Sequence, residues 1–165
     1  MTATQVNPDD FKGALGSWAA GVTVVTTRAG GEVYGLTVSS FSSLSVDPVL
    51  ILVCIMNTNR LLPMVQQSRH FAVSILAEGQ DSISGYFSKS GREPVKHFED
   101  FGTIEWHTGS PIITGSIAHL DCEVDELVPG GDHTIAIGRV LGAAYDAEKM
   151  PLLYYKRGYR KILMD

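Results

Sequence analysis

Cysteine is scarce in this sequence of 165 residues. The two cysteines, Cys54 and Cys122, each lie within an apolar segment with the pattern of a β-strand. Two cysteines placed in this way argue against a disulfide framework and against a cysteine-rich metal site. Neither has a local partner that would favour its thiolate, so both are expected to be small core residues. A reducing cytoplasm is the expected compartment.

Basic residues and long apolar segments are also scarce. The 13 Lys and Arg residues form no cluster and are outnumbered by 18 Asp and Glu residues, which gives a formal net charge of −5. Nucleic-acid binding needs a basic face, so nucleic acid is not an expected partner. No apolar run approaches the roughly 18 residues that cross a bilayer. The start, MTATQVNPDDF, lacks the features of a signal peptide, and no membrane association is expected.

Several catalytic signatures are absent as well. The chain contains no P-loop, no GxSxG nucleophile elbow, no GxGxxG after a strand and no HExxH motif. Its five histidines lie far apart and form no local ligand motif, so no metal site is expected. They are His70, His97, His107, His119 and His133.

What the chain does contain begins with a predicted helix. Asn7 can act as its N-cap, and Pro8 suits its first helical position. Gly21 can end the helix by adopting the left-handed conformation. One face of the helix is apolar and carries Phe11, Leu15 and Trp18.

Most of the remaining chain consists of short strand-like segments separated by turn signals. A hairpin is predicted over residues 22–39. Residues 48–56 are apolar without alternation, which is typical of a strand covered on both faces, although a buried helix has the same pattern. Two long strands, 116–128 and 133–145, are joined by the turn signal PGGD. Further predicted elements are helices at 60–68 and 81–89, a strand at 70–76, and mostly loop over 88–116 with a brief strand near 103–107.

These elements predict a mainly β protein. At least six strands with hairpin spacing, a few short helices and no regular strand–helix alternation indicate a predominantly antiparallel β-barrel. No repeat, low-complexity tract or linker interrupts the chain. Residues 1–165 are therefore predicted to form one domain.

The segment GLTVSSFSSLSVDP, residues 35–48, has five serines within seven positions. Serine neither packs strongly nor favours the pleated surface of a sheet. Its small side chain leaves backbone N–H groups accessible to a ligand with many acceptors, such as a phosphate or the pyrimidine edge of a flavin. The alternative is a solvated loop in which the hydroxyls bond their own backbone. Phe41 and Leu44 would anchor the segment in the core.

A second candidate segment is GGDHT, residues 130–134. A turn there would place Asp132 and His133 at the mouth of the barrel, where the imidazole could stack on a planar ligand or bond to it. The alternative is a hairpin turn in which Asp132 caps backbone amides and His133 takes no part in binding.

Five segments, in this order, resemble the short-chain flavin reductase family. They are AAGVTVVTT, GLTVSSFSSLSVDPVLILVCI, SRHFAVSIL, GDHTIAIGRV and PLLYYKRGYRKI. Members of this family are the small reductase components of two-component flavin-dependent monooxygenases. The resemblance extends from about residue 10 to residue 160. It implies a split antiparallel β-barrel, the FMN-binding split barrel, that forms a homodimer; covering the open edges of a small barrel favours the same assembly.

The resemblance implies an NAD(P)H:flavin oxidoreductase that reduces FMN or FAD with NADH or NADPH. Reduced flavin would then reach a separate oxygenase component. Hydride transfer between two cofactors needs little acid–base chemistry from the protein, which agrees with the missing catalytic signatures. The alternative is a non-catalytic flavin carrier or a flavin oxidase that needs no nicotinamide. The GDHT segment favours the reductase, because a storage protein needs no residue over the exposed face of the ring.

The resemblance also implies the site residues. Those expected to line the isoalloxazine and ribityl groups are Thr37, Val38, Ser39 and Ser40, with Ser43 and Ser45 nearby. Those on the following strand are Cys54, Ile55 and Asn57. Those expected near the flavin phosphate are Phe87, Ser88, Lys89 and Arg92. Tyr159, in the closing RGY segment, is expected near the site.

His133 is the expected catalytic residue, because it matches a histidine that contacts the nicotinamide or the flavin ring. Backbone donors from residues 37–40 are expected to stabilise the reduced, anionic flavin while His133 orients the nicotinamide. Where many relatives carry TANS or TASS, this chain has TVSS. Val38 then replaces a smaller alanine and is expected to narrow the approach to the ring.

Overall fold

The computed structural model of the protein describes residues 6–92 and 98–163. The helices in these residues are α1 (Pro8–Gly16), α2 (Leu61–Ser68), α3 (Asp81–Phe87) and a 3-10 helix at Phe98–Phe101. The strands are β1 (Ala20–Gly21), β2 (Thr23–Ala29), β3 (Glu32–Val38), β4 (Phe41–Val46), β5 (Val49–Met56), β6 (His70–Ile75), β7 (Thr103–Glu105), β8 (Pro111–Ile113), β9 (Ala118–Gly130), β10 (His133–Tyr145), β11 (Leu153–Tyr155) and β12 (Gly158–Arg160).

Seven strands form one antiparallel sheet in the order β3-β2-β6-β9-β10-β5-β4. Its two edge strands, β3 and β4, are consecutive in the chain and are separated only by Ser39 and Ser40. This connection spans at most about 11 Å. The sheet must therefore curve until its two edges meet, which makes it a barrel. The predicted mainly β fold, an antiparallel barrel with a few short helices, is confirmed.

Apolar side chains form two buried clusters, one on each face of β2. The first fills the barrel between the large sheet and α2, and includes Val25, Val53, Leu61, Phe71 and Ala136. The second lies outside the barrel under α3 and the 3-10 helix, and includes Val24, Val33, Leu76, Phe87 and Phe98. Because both faces of β2 are covered, its burial is nearly continuous along the strand. The outer cluster holds α3 against β3.

The first helix starts as predicted but ends earlier. The side chain of Asn7 accepts a hydrogen bond from the second residue after it, and Pro8 is the first helical residue. The predicted end at Gly21 is wrong, since α1 ends at Gly16. Gly21 lies instead in β1, opposite Leu153 of β11, because pairing with the C-terminal hairpin satisfies its backbone. The three apolar residues on one face of this predicted helix remain largely exposed: Phe11 (56%), Leu15 (58%) and Trp18 (76%).

The serine-rich segment forms a strand and not a solvated loop. Phe41 opposes Val53 at the start of the β4–β5 pair, and a register shift falls between Ser43 and Ser45. Phe41 packs against the barrel core, as predicted. Leu44 lies at the register shift and is 47% exposed, so its predicted role as a core anchor is wrong.

The next strand, β5, is buried on one face and only partly covered on the other. Ile51, Val53 and Ile55 point into the barrel core. The residues between them, Leu50, Leu52 and Cys54, are partly exposed. The prediction of a strand covered on both faces is therefore wrong for the single chain, and the buried helix that the same pattern allowed is excluded.

The other predicted elements are confirmed. They are the hairpin of β2 and β3, helices α2 and α3, strand β6, and the long strands β9 and β10. Within residues 88–92 and 98–116 the prediction of mostly loop holds. The brief strand β7 pairs with β8, which was not predicted. Among the helices of the described ranges, none has the length and apolar character needed to cross a membrane.

Candidate functional site

A cavity of about 240 Å³ lies where β3, α3 and the β11–β12 hairpin meet. Its lining residues are Val22, Thr37, Ser39, Ser84, Ser88, Tyr154 and Tyr159. All except Val22 carry a hydroxyl group, so the cavity is lined with groups that can donate or accept hydrogen bonds. Four of the lining residues were predicted as site residues: Thr37, Ser39, Ser88 and Tyr159.

Ser84, which is 2% exposed, connects the two sides of this cavity. Its Oγ accepts a hydrogen bond from the hydroxyl of Tyr159 at 2.9 Å. Its carbonyl oxygen accepts one from Oγ1 of Thr37 at 2.8 Å. Through Ser84, α3 therefore holds both β3 and the C-terminal hairpin. Ser84 was not among the predicted residues, because a serine within a short helix gives no local sign of these partners.

A larger cleft of about 700 Å³ adjoins the cavity and shares Ser39 and Tyr154 with it. One wall is the serine-rich segment from Ser39 to Ser42. The second wall is formed by α1 and the residues after it, and the third by the β11–β12 hairpin from Tyr154 to Arg157. Cavity and cleft together follow the serine-rich segment.

Ser40 holds this segment against β5. Its Oγ accepts a hydrogen bond from the N–H of Cys54 and donates one to the carbonyl of the same residue, both at 3.1 Å. The serine side chain thus takes the place of a ladder partner just before β4 begins. The structure therefore brings together two of the predicted residues, Ser40 and Cys54.

Ser43 and Ser45 lie farther along β4, opposite Ile51 and Leu50. Ser43 is exposed and Ser45 is half-buried. Neither is among the residues that line the cavity or the cleft.

Three predicted site residues have side chains in the core. Val38, Ile55 and Phe87 are 6%, 0% and 0% exposed. The side chain of Val38 packs inside the barrel and does not narrow the cavity. The ring of Phe87 contacts β3 so closely that a Cβ at Gly35 would lie 2.9 Å from two of its ring atoms. These three residues therefore support the site from the core and do not line the cavity.

Arg92 folds back over α3. Its guanidinium donates to the carbonyl oxygens of Gly35 at 2.6 Å, Phe87 at 3.1 Å and Lys89 at 3.1 Å. It also stacks on three aromatic rings, 5.0 to 5.1 Å from their centroids. Its buried Nη1 has no hydrogen-bond partner in the described part of the chain. The exposed Ser88 and Lys89 next to this guanidinium fit an anion such as a phosphate.

The turn between β9 and β10 contains the predicted catalytic residue. Nδ1 of His133 is 2.7 Å from Oδ1 of Asp132. The hydrogen bond with His133, together with the charge of His133, lowers the pKa of the Asp132 carboxyl. With Nδ1 bonded to this carboxylate, the Nε2 edge of the ring points away from Asp132. The hydrogen bond to Asp132 therefore fixes the orientation of the imidazole. The side chain of His133 is 37% exposed.

Asn57 ties this turn to the end of β5. Its backbone N–H donates to the carbonyl of Asp132 at 2.9 Å, and its Nδ2 donates to that of Gly131 at 3.2 Å. Its Oδ1 accepts a hydrogen bond from the hydroxyl of Thr134 at 2.8 Å. The predicted residue Asn57 therefore shapes the turn that carries His133.

The predicted residues form two groups joined by β5. One group surrounds the cavity and cleft, and the other lies at the β9–β10 turn. Cys54, Ile55, Asn57 and His133 are not among the lining residues of the cavity or cleft. His133 pairs with Met56, two residues beyond Cys54, so the turn follows the serine-rich segment along the same strand.

Both cysteines are free. Burial, with a smaller contribution from the charge of Asp121, raises the pKa of the Cys122 thiol to about 12. The prediction that both cysteines are core residues is confirmed for Cys122 and wrong for Cys54, which is only half-buried because it lies on the partly covered face of β5. In residues 6–92 and 98–163, no group of three or more His, Cys, Asp or Glu side chains is placed to hold a metal ion. His97 lies outside these residues.

Comparison with known proteins identifies the family to which the chain belongs. The family model for the flavin reductase like domain matches residues 15–163. The chain belongs to this flavin reductase family. The resemblance of the five ordered segments is therefore confirmed, and similar solved flavin reductases confirm the split-barrel fold.

Individual members of the flavin reductase family are similar over nearly the whole chain. The reductase subunit HsaB of a flavin-dependent monooxygenase from Rhodococcus jostii is 38% identical over 168 residues, which cover 100% of this chain and 83% of that protein. The reductase component of 4-hydroxyphenylacetate 3-monooxygenase from Thermus thermophilus is 37% identical, with coverages of 93% and 95%. The NADH:FAD oxidoreductase SgcE6 of Streptomyces globisporus, solved with NAD and FAD fragments, superposes with a TM-score of 0.89 at 32% identity over 99% of each chain.

Proposed function

We propose that the protein is an NAD(P)H:flavin oxidoreductase that reduces FMN or FAD and supplies reduced flavin to a separate monooxygenase component. The observation that carries this proposal is the hydroxyl-lined cavity on the serine-rich segment, in a chain of the flavin reductase family. The names of its relatives, a monooxygenase reductase subunit and an NADH-dependent flavin reductase among them, support the same activity.

The hydroxyl groups around the cavity fit a flavin. The hydroxyl of Ser39 can donate or accept a hydrogen bond at the polar edge of the ring or at the ribityl chain. The O–H groups of Thr37 and Tyr159 donate to Ser84, so their oxygens are left to accept hydrogen bonds from the ligand.

The exposed Ser88 and Lys89 suit the phosphate, and the guanidinium of Arg92, which donates to the carbonyl of Lys89, adds positive charge beside them. In this proposal the remaining predicted residues other than His133 act through the backbone or by support: Val38, Ser40, Ser43, Ser45, Cys54, Ile55, Asn57 and Phe87.

When bound, the flavin supplies the hydride acceptor for a reduced nicotinamide. The task of the protein is to hold the two rings in contact, which lowers the entropic part of the barrier. Ser39 and Ser40 lie outside both the β2–β3 and β4–β5 ladders, so their backbone N–H groups can stabilise negative charge on the reduced ring. His133, oriented by Asp132, is assigned to position the nicotinamide.

One assay tests this function. Purified protein is mixed with NADH or NADPH and with FMN or FAD, and the nicotinamide absorbance is followed. Loss of absorbance that depends on added flavin supports the reductase. If no combination gives flavin-dependent loss, the reductase is ruled out and the flavin carrier or oxidase becomes the better interpretation.

A homodimer is part of the proposal. The face of β5 that points away from the core leaves Leu50, Leu52 and Cys54 only half-buried in the single chain, and Val46 and Val49 at the adjoining turn are 89% and 52% exposed. A symmetric partner is the usual way to cover such apolar surface. Light scattering should give twice the chain mass. A cytoplasmic location is also proposed, because the free thiols of Cys54 and Cys122 persist in a reducing compartment.

A further inference from the structure

The β11–β12 hairpin lies outside the barrel. With β1 it forms a three-stranded sheet, in the order β1-β11-β12, that is separate from the seven-stranded sheet. Tyr154 and Tyr159 pair across the hairpin and form one wall of the cavity. The other two walls are fixed, because β3 belongs to the barrel and α3 is held by the outer cluster. The hairpin is therefore the wall that can move without disturbing a core.

The base of the hairpin is held by backbone hydrogen bonds. The N–H of Leu152, a buried residue just before β11, donates to the carbonyl of Leu76 at 2.9 Å. The carbonyl of Leu152 accepts a hydrogen bond from the N–H of Val22 at 3.0 Å, and that of Met150 accepts one from the N–H of Glu78 at 2.8 Å. These bonds join residues 150–152 to the ends of β2 and β6. The base is therefore a fixed point about which the hairpin can turn.

The rest of the hairpin is attached through weaker links. The hydroxyl of Tyr159 in β12 donates to α3, and Nζ of Lys161, directly after β12, donates to Oε1 of Glu78. The loop of the hairpin is linked to the first helix, because the N–H of Lys156 donates to the carbonyl of Gly16 at 3.0 Å. No residue of α1 is buried, so this helix does not anchor the loop to a core.

Open space lies on both sides of the hairpin. The cleft of about 700 Å³ borders residues 154–157, and a further cleft of about 520 Å³ lies between β12 and residues 78–81. The cavity itself measures about 240 Å³. Pockets for small molecules and cofactors usually measure about 300 to 1,000 Å³. The hairpin therefore has room to move, and its outward movement would bring the cavity into this range.

The ion pair of Lys161 and Glu78 joins the end of the hairpin to the loop between β6 and α3. The hydrogen bond with Glu78 and the charge of Glu78 raise the pKa of the Lys161 ammonium group, so it is charged at neutral pH. The two side chains are 71% and 34% exposed. Exposed ion pairs hold only weakly because water and salt compete with them. Such a pair can keep the hairpin closed and still release it readily.

We propose that the β11–β12 hairpin is a lid over the flavin cavity and that Lys161 and Glu78 form its latch. The lid turns about its base at residues 150–152. Reduced flavin has to leave the cavity to reach a separate monooxygenase component, so lid opening sets the rate of flavin exchange. The proposal rests on the reductase function and adds control of flavin release to it.

Glu78→Gln tests the latch, because it removes the charge and leaves the backbone hydrogen bond to Met150 in place. FMN release is followed by flavin fluorescence after rapid dilution of the complex. The release rate should rise about two- to fivefold, the value of an exposed ion pair. The difference from the wild type should disappear at about 1 M salt, where the Debye length is about 3 Å. The matched control is Glu105→Gln, which breaks an exposed pair with Arg28 and should leave the release rate unchanged.

A double-mutant cycle separates the pair from other effects of either side chain. Lys161→Gln should release FMN about as fast as Glu78→Gln, and the double variant should be no faster than either single variant. An unchanged release rate in both single variants overturns the lid. Additive effects, or a difference from the wild type that persists in high salt, also overturn it.

Hydrogen exchange measures lid opening without any ligand. Amides of β11 and β12 should exchange faster in Glu78→Gln than in the wild type, while those of Leu76 and Leu152 at the base keep their wild-type rates. Unchanged exchange in the hairpin overturns the lid. If the wild type shows no flavin-dependent oxidation of NADH, the reductase function fails, and hydrogen exchange still decides whether the hairpin opens.

Discussion

The hydroxyl of Tyr159 donates a hydrogen bond to the hydroxyl of Ser84 at 2.9 Å, although 75 residues separate them in the sequence. The carbonyl of Ser84 in turn accepts a hydrogen bond from Thr37. Three distant parts of the chain thus meet at one buried serine. The position of each hydroxyl in the cavity depends on the other two.

Tyr159→Phe should weaken flavin binding. The substitution removes a hydroxyl that lines the cavity and that also fixes Ser84. Loss of one hydrogen bond to the flavin corresponds to about 0.5 to 1.5 kcal/mol, or about two- to tenfold in KM for flavin. Steady-state kinetics with FMN and with FAD measure the change. In a double-mutant cycle with Ser84→Ala the two effects should not add. The control is Tyr145→Phe, because the side chain of Tyr145 is 82% exposed and lies outside the cavity. An unchanged KM for flavin in Tyr159→Phe would contradict the assignment of Tyr159 to the site.

His133→Ala should raise the KM for NADH or lower the turnover number, because the oriented imidazole is lost. Loss of one such contact corresponds to about tenfold in kcat/KM. Asp132→Asn, which keeps the turn but removes the carboxylate, should have a smaller effect in the same direction. His107→Ala, at an exposed histidine away from the turn, should match the wild type. The assignment of His133 fails if both kinetic constants are unchanged.

The Asp132–His133 pair also gives a pH dependence with a definite sign. Because the pKa of Asp132 is lowered in the folded protein, its carboxylate is charged at neutral pH. Any stabilisation of the turn by this carboxylate is therefore present above the unfolded pKa and is lost as the pH falls through the lowered value. Thermal unfolding is compared between the wild type and Asp132→Asn. The wild type should have the higher melting temperature at neutral pH, and this difference should become smaller in acid. A difference that grows in acid would contradict this account.

Gly35→Ala should destabilise the fold and weaken flavin binding. The new Cβ would lie 2.9 Å from the ring of Phe87, which is fully buried and cannot move aside. Overpacking of this kind costs about 1 to 3 kcal/mol in the free energy of unfolding. Gly85→Ala in α3 is the matched control: its Cβ meets no atom within 4 Å, and helix propensity should add up to about 1 kcal/mol. Urea denaturation measures the free energy of unfolding of both variants. Equal values for Gly35→Ala and Gly85→Ala would show that α3 can shift away from β3.

Native protein should be alkylated at Cys54 and not at Cys122. Burial raises the pKa of Cys122 to about 12, so almost none of it is thiolate at pH 8. A raised pKa stabilises the fold below the unfolded value and loses this contribution as the pH rises through the folded value. Iodoacetamide labelling followed by mass spectrometry measures both sites, with Cys54→Ser as the control. Labelling of Cys122 without unfolding would contradict its burial.

Several parts of the fold and site could be predicted because their signals are local. Asn7 and Pro8 mark a helix start wherever they occur in this order, and Gly131 with Asp132 marks a turn. The serines between residues 39 and 45 are unusual for a strand, and this composition indicated the segment that lines the cavity and the cleft. The end of α1 could not be predicted, because pairing of Gly21 with β11 depends on residues far away in the chain.

The sequence by itself determined the class of fold, the turns and the family, since alternation, capping and ordered motifs act over a few residues. Only the tertiary structure decided that Val38, Ile55 and Phe87 point into the core while Trp18 stays exposed. It alone brought Thr37, Ser84 and Tyr159 to one cavity and Lys156 and Arg157 to the rim of the neighbouring cleft. The reason is physical: burial and side-chain contact depend on which elements pack together, and barrel closure joins residues that no local pattern relates.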